Sequence, residues 1–243
     1  MLLEICAGSL VSALNAQLGG ASRVELCENL HEGGMTPGPS SIIIAGKQIR
    51  IPVFVLIRPR PGDFLYNNLE FNQMREDILF CKEHGAKGVV LGILNADGTV
   101  DVDRTAELAR LARPMQVTFH RAFDMTRDPF QALEDIAGLG IQRILTSGQA
   151  ASAPEGAGLI AELIRIADNR ITIMPGGGIN EENIAELISR TKADEFHASL
   201  RKRVKSGMQF RNDKAFMGAA GEDEYAWMET DAMRVRQFLM QDA

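Results

Sequence analysis

The sequence predicts a parallel (β/α)8 barrel, an α/β fold of TIM type, on three observations. Eight short β-branched runs alternate with longer segments of helical period, the pattern of repeated strand–helix units feeding a parallel sheet. The length of 243 residues is that of one such barrel. No Gly-x-Gly-x-x-Gly follows the first run, so the competing doubly wound open sheet lacks the mark of its ligand crevice.

Taken in order, Leu2 to Cys6 and Arg23 to Cys27 are the first two strands. Val53 to Arg58 is the third, and a helix over Phe71 to His84 follows, stopped at His84-Gly85. Gly88 to Gly92 feeds a helix over Arg104 to Arg113. Gln116 to His120 feeds Pro129 to Leu139, which ends at Gly140, and Arg143 to Ser147 feeds Glu155 to Asp168. After Ile171 to Met174, Asn180 is placed to cap a helix over Glu181 to Arg190, and Glu195 to Ser199 completes the set. From Leu200 to Gly221 no period is evident. A final helix then carries Tyr225, Met228, Ala232, Val235 and Leu239 as one apolar stripe, expected to pack on the barrel wall, the alternative being part of a subunit interface. No linker appears, so residues 1–243 read as one domain, with barrel strands over 1–199 and a C-terminal loop and helix over 200–243.

Hydrophobic residues make up 45% and charged residues 24%, an ordinary globular balance. The net charge of −6 removes the basic footprint of a nucleic-acid binder. No apolar stretch is long enough to span a bilayer, and Met1-Leu2-Leu3-Glu4 has no features of a secretory leader. Three cysteines, Cys6, Cys27 and Cys81, make a poor disulfide scaffold, and the expectation is a cytoplasmic protein in a reducing compartment.

Side chains alternate across a strand, and barrel chemistry gathers at the C-terminal ends of strands. Glu4 and Cys6 share a face of the first strand and Glu25 and Cys27 a face of the second, so matching register makes the thiols neighbours. The same parity groups His120 with Thr118 and Gln116, and His197 with Glu195 and Ser199. Buried carboxylates need partners, and Arg58, His120 and Arg121 are the expected ones for Glu4, Glu25 and Glu195. Asp124 either orients His120 or pairs with Arg121. Arg58 and Arg60, in a proline-stiffened loop, are candidates to clamp a carboxylate or phosphate. The glycine run Gly176, Gly177 and Gly178 before a helix is a backbone cradle for an anion or simply a tight turn, and Ser147 and Ser199 stand at strand ends beside it. Cys6 and Cys27 suit a soft ion such as monovalent copper, although buried cysteine often only packs, as Cys81 is expected to do.

These segments together resemble the CutC family. The resemblance rests on Glu4-Ile5-Cys6, on Arg23-Val24-Glu25-Leu26-Cys27 with Gly33-Gly34-Met35-Thr36-Pro37, and on Ile57-Arg58-Pro59-Arg60-Pro61-Gly62-Asp63-Phe64. It continues through Thr118-Phe119-His120-Arg121-Ala122-Phe123-Asp124, Arg143-Ile144-Leu145-Thr146-Ser147-Gly148, Met174-Pro175-Gly176-Gly177-Gly178 and Glu195-Phe196-His197-Ala198-Ser199. It implies a cytoplasmic, oligomeric barrel associated with copper homeostasis, with Cys6 and Cys27 as ligands of monovalent copper, and it implies no established reaction. Two readings stand side by side. One is a copper-homeostasis protein using the cysteine pair. The other is an enzyme on a small phosphorylated or carboxylated metabolite, with His120 or His197 as acid/base, Glu4, Glu25 or Asp124 as carboxylate partner, Arg58 as clamp and Gly176 to Gly178 as cradle.

Overall fold

In the computed structural model of the protein, which describes residues 1–212, 214–215, 217 and 223–242, eight parallel strands form the barrel. They are β1 (Leu2–Ala7), β2 (Arg23–Leu26), β3 (Val53–Leu56), β4 (Gly88–Leu91), β5 (Gln116–Phe119), β6 (Arg143–Thr146), β7 (Thr172–Pro175) and β8 (Glu195–Ala198). Each pairs with its neighbours in chain order, β8 pairs with β1, and the ring closes between β7 and β8 through the bridge Gly176↔His197. Six of the eight strands end a residue or two before the β-branched run does. Cys27, Arg58, Gly92, His120, Ser147 and Ser199 leave the ladder and stand at its C-terminal rim.

Seven helices follow the strands: α1 (Leu10–Gly19), α2 (Pro39–Gln48), α3 (Asn68–Glu83), α4 (Val102–Ala112), α5 (Pro129–Gly138), α6 (Ala157–Ala167) and α7 (Ile184–Thr191). Local chemistry starts several of them. Asn67 and Glu70 form a reciprocal capping box on α3, Asp101 caps α4, and Asp128 caps α5 ahead of Pro129. The helix expected from Glu181 starts only at Ile184. Asn180 uses its side chain to accept from Glu182 N, and its own N–H donates to Asn183 Oδ1, so these residues form a turn and Asn183 takes the N-cap position. The outward strand residues, Leu3 and Ile5 among them, pack with the helices into the main core, and a small apolar cluster of Cys6, Cys27, Phe54, Leu56 and Val90 lies inside the barrel.

Beyond residue 200 the structure departs from the expected loop and single helix. Arg201–Lys205 (β9) pairs antiparallel with Ala226–Thr230 (β10), and among the described residues the α-helix is confined to Ala232–Leu239 (α8), followed by a 3-10 turn over Met240–Asp242. Tyr225 and Met228 therefore fall outside the helical stripe, and Met228 is half exposed. β9 escapes a periodicity reading because none of its five residues is fully buried, so no apolar face is selected. Within the aperiodic stretch, positions 213, 216 and 218–221 lie outside the described residues, as does 222. Asn15 on α1 ties β10 down through Glu229 Oε1 and Thr230 O, both at 3.0 Å, while Val235 and Phe238 of α8 are fully buried. Burial of two such side chains contributes about 1.5–3 kcal/mol each. No helix among the described residues is long and apolar enough to cross a membrane.

Candidate functional site

The lowest layer of the lumen is an ion network. Arg23 donates through Nε to Glu4 and through Nη2 to Glu195 at 2.9 Å. Arg143 donates to the two oxygens of Glu195 at 2.6 and 3.2 Å and to Gln116 Oε1 at 3.2 Å. Both guanidiniums lie over the Phe54 ring, 4.8 and 5.5 Å from its centroid. The partners of Glu4 and Glu195 are thus Arg23, Arg143 and His197, and the expected Arg58, His120 and Arg121 are not among them. Strand parity identifies a face but not a height along the barrel. Arg23 and Arg143 open their strands at the same depth as the carboxylates they meet, whereas Arg58, His120 and Arg121 stand at the rim.

Above this layer His197 donates from Nδ1 to Glu4 Oε1 at 2.7 Å, and its Nε2 lies 3.8 Å from Glu25 Oε2. Burial alone would lower the imidazole pKa. The Glu25 charge and the bonds to Cys6 and Glu4 outweigh it and raise the value well above 6.5, so His197 is an imidazolium at neutral pH. Burial would raise the pKa of Glu4, but the His197 hydrogen bond and the Arg23 charge bring it down to about 2. Glu25 moves the other way: burial raises its pKa and Glu4 adds to the rise, with His197 only partly offsetting them.

Cys6 Sγ donates to Glu25 Oε2 at 3.1 Å and lies 3.5 Å from Cys27 Sγ. The Cys27 contact and burial keep the Cys6 thiol protonated, with its pKa raised well above 9.0. The thiols meet, but not by matching register. Cys6 is opposite Glu25 and Glu4 is opposite Arg23, so the two Glu-x-Cys segments are staggered by two residues and the sulfurs approach diagonally. Donor atoms of Cys6, Glu25 and Cys27 all lie within 4.8 Å of one another, as do those of Glu4, Glu25 and His197.

Over this floor opens a cavity of about 280 Å³. Cys6, Glu25 and His197 form its base, and Leu56, Phe64, Met125 and Leu145 supply apolar wall. Arg58, His120, Arg121 and Asp124, with Gly33, complete the lining. The His120 ring lies 4.9 Å from that of Phe64 and fills the space beside Gly92, where a Cβ would come within 2.6 Å of its Nδ1. Its Nδ1 accepts from the Ala122 N–H at 3.1 Å, which places the hydrogen on Nε2, and Nε2 has no partner among the described residues. Burial and the nearby Arg58 charge depress its pKa to about 3, so this imidazole is neutral.

Asp124 does not orient His120. It pairs with Arg121 at 2.7 Å and accepts from Thr146 Oγ1, Ser147 N and Ser147 Oγ, while Ser147 Oγ also meets Arg121 Nη2 at 2.7 Å. Arg58 is spent on shape: Nη1 donates to Glu32 O and Gly34 O, and Nη2 to Gly62 O, at 2.7–2.9 Å. Arg60 is held outside the cavity by Glu70 at 2.7 Å and Asp63 at 2.9 Å.

The glycine run also lies outside the cavity lining. Gly176 N donates to Thr146 O, Gly177 O accepts from Ala153 N, and Gly178 O accepts from Asn183 Nδ2. Its left-handed Gly177 and Gly178, at φ 99° and 72°, serve the turn into α7. Ser199 is engaged through its carbonyl by Thr230 Oγ1 and does not line the cavity either. Of the sequence candidates, then, Cys6, Glu25, Arg58, His120, Asp124 and His197 converge on the cavity, with Glu4 beneath them and Cys27 buried beside Cys6. Sequence reasoning missed Arg23 and Arg143 as the counter-ions, although each shares the lumenal parity of its strand.

A (β/α)8 barrel with two facing thiols in its lumen and a half-apolar cavity above them defines a TIM-type barrel protein with a soft-donor site at the mouth. Residues 1–202 match the model of the CutC family. A family protein CutC from Chromobacterium violaceum is 55% identical over 97% of this chain and 95% of its own length. The mouse copper homeostasis protein cutC homolog is 48% identical over 97% of this chain and 87% of its own. This chain belongs to the CutC family. A crystal structure of the putative copper homeostasis protein CutC from Streptococcus agalactiae superposes with a TM-score of 0.77 at 36% identity, covering 81% of this chain and 97% of that one. Phosphoribosylanthranilate isomerase from Pyrococcus furiosus, at 15% identity and a TM-score of 0.58, shares the fold alone.

Proposed function

We propose that this chain is a copper-homeostasis protein that takes up monovalent copper at Cys6 and Cys27. The observation that carries the proposal is the pair of sulfurs 3.5 Å apart in the lumen, with a carboxylate beside them. Thiolates are the donors a soft monovalent ion prefers, and here they sit where water is scarce and where relatives at 48% identity carry copper homeostasis in their names. Around them, three carboxyl groups (Glu4, Glu25, Glu195) face three cationic groups (Arg23, Arg143, His197); uptake of a monovalent ion with loss of two thiol protons adds one net negative charge, which the neighbouring His197 and Arg23 and the uncompensated Arg58 at the mouth are placed to offset. Competition with a copper(I) chelator tests this. The parent competes, and a Cys6→Ser, Cys27→Ser double variant does not; equal affinity in the two would sink the proposal. The same reading takes the protein as cytoplasmic, as a homo-oligomer and as one domain over residues 1–243. Cell fractionation, light scattering and limited proteolysis test the three points.

One observation favours a second reading, an enzyme or binder of a small anionic metabolite at the mouth. Among the described residues, His120 Nε2 and Arg58 Nε are both buried and meet no acceptor in good hydrogen-bond geometry, on side chains that line one cavity. His197, Glu25 and Asp124 would then be the groups available for proton transfer. A thermal-shift screen of metabolites tests it, the expected hit being one that Arg58→Gln abolishes.

A further inference from the structure

Arg58 is a buried cation without a counter-ion. It is 6% exposed, its two Nη atoms are satisfied by backbone carbonyls, and no carboxylate among the described residues pairs with it. The buried charges of the lumen floor are answered among the described residues: Arg23 by Glu4 and Glu195, Arg143 by Glu195, and His197 by Glu4 and Glu25. An unanswered buried guanidinium is unfavourable unless something else brings the charge. Of the charged groups lining the cavity, Arg58, Arg121 and His197 face Asp124 and Glu25, which leaves one positive charge in excess.

The unused donors belong to the same place. Among the described residues Arg58 Nε and His120 Nε2 are buried donors that meet no acceptor in good hydrogen-bond geometry, the equally unsatisfied Tyr66 hydroxyl being the group that stands against Arg58, and both side chains line the cavity whose walls are Leu56, Phe64, Met125 and Leu145. We propose that this cavity is the seat of a small organic monocarboxylate, whose carboxylate accepts from Arg58 Nε–H and His120 Nε2–H while its apolar body lies against Phe64 and Leu145. The proposal deepens the second reading above, on which it rests, by naming the ligand class.

Three features select a carboxylate over a phosphate ester. The excess at the mouth is a single positive charge, which one carboxylate neutralises and a dianion would overshoot. The glycine run that could have cradled a phosphate, Gly176 to Gly178, does not line this cavity. A volume of about 280 Å³ lies just below the usual ligand-site range, so the ligand is a short one.

The test uses the full chain without copper and three probes of similar size: butyrate, butyramide and n-propyl phosphate. Saturation-transfer NMR is expected to show butyrate binding, with the other two at least tenfold weaker. Arg58→Gln should weaken butyrate at least tenfold, whereas Arg60→Gln, which removes the same charge outside the cavity, should leave affinity within twofold. If Arg58→Gln does not fold, Met125→Trp fills the cavity from an exposed rim position and should abolish butyrate binding. Tighter binding of propyl phosphate would overturn the carboxylate class while leaving the small-anion reading intact. Equal binding of butyramide, or butyrate binding that ignores Arg58→Gln and Met125→Trp, would also overturn the proposal. Failure of all three probes to bind would sink the broader reading with it.

Discussion

Glu4→Gln is the sharpest probe of the lumenal network. Glu4 is fully buried, and its carboxylate receives both Arg23 and His197. Its pKa falls from 4.5 to about 2 on folding, and a shift of that size is linked to about 3 kcal/mol of stability. Removing one partner of a buried ion pair costs about 3–5 kcal/mol. The lower end applies here, because Glu195 still answers Arg23 and Glu25 still faces His197. The variant should therefore be about 3 kcal/mol less stable at pH 7, and its melting temperature roughly 6–12 °C lower for a chain of this length.

The pH dependence has a defined sign. Because the folded pKa is depressed, the contribution of Glu4 is complete above pH 4.5 and is lost as pH falls through about 2. The stability gap between parent and variant should close over that window. His197 behaves oppositely: its folded pKa is raised, so its contribution is present below pH 6.5 and lost as pH rises through the folded value. Urea denaturation of both proteins from pH 2 to pH 7 measures the gap. A difference under about 1 kcal/mol at pH 7, or a constant gap between pH 4.5 and pH 2, would refute the assigned roles of Arg23 and His197.

Copper(I) affinity should rise about tenfold per pH unit or more around neutrality, since Cys6 must shed a firmly held proton to ligate; a pH-independent constant in chelator competition would contradict this. Gly92→Ala would set a Cβ 2.6 Å from two atoms of the His120 ring, so the imidazole must move. The expected result is a displaced His120 Cε1–H resonance in the NMR spectrum, and an unchanged one would contradict the packing. Oxidised glutathione should leave Cys6 and Cys27 unlinked. The two-residue stagger separates their Cα atoms by about 8 Å, beyond disulfide reach, and a Cys6–Cys27 disulfide peptide in a digest would count against the register.

The barrel was legible in the sequence because short buried strands alternate with amphipathic helices of clear period. Period alone misses the caps Asp101 and the Asn67–Glu70 box, and α4 and α3 begin at Val102 and Asn68 and not at the expected Arg104 and Phe71. The candidate site was legible only in part. Parity correctly sent Glu4, Cys6, Glu25 and Cys27 into the lumen, but pairing across strands depends on stagger, which no single strand encodes. That is why Arg23 and Arg143, and not Arg58 or Arg121, turned out to hold the carboxylates. Arg60 and Gly176 to Gly178 read as anion-binding by composition alone, and their partners in the fold are internal. The β9–β10 hairpin was hidden because its residues are mostly half-buried or exposed and show no alternation for a reader to detect.

The closure of the ring through Gly176 and His197 gives the barrel a seam. Every other pair of neighbouring strands shares at least two register positions, but β7 and β8 are stitched at one. The residue at that stitch is also the imidazolium that holds Glu4 and Glu25 in place. Breathing of the barrel should begin along this line, and amides of β8 should exchange with solvent before those of β1 and β2. Each opening would loosen the grip on both carboxylates and bring water to the thiols from the side, so the least secured join of the wall is also a service entrance to its most guarded residues.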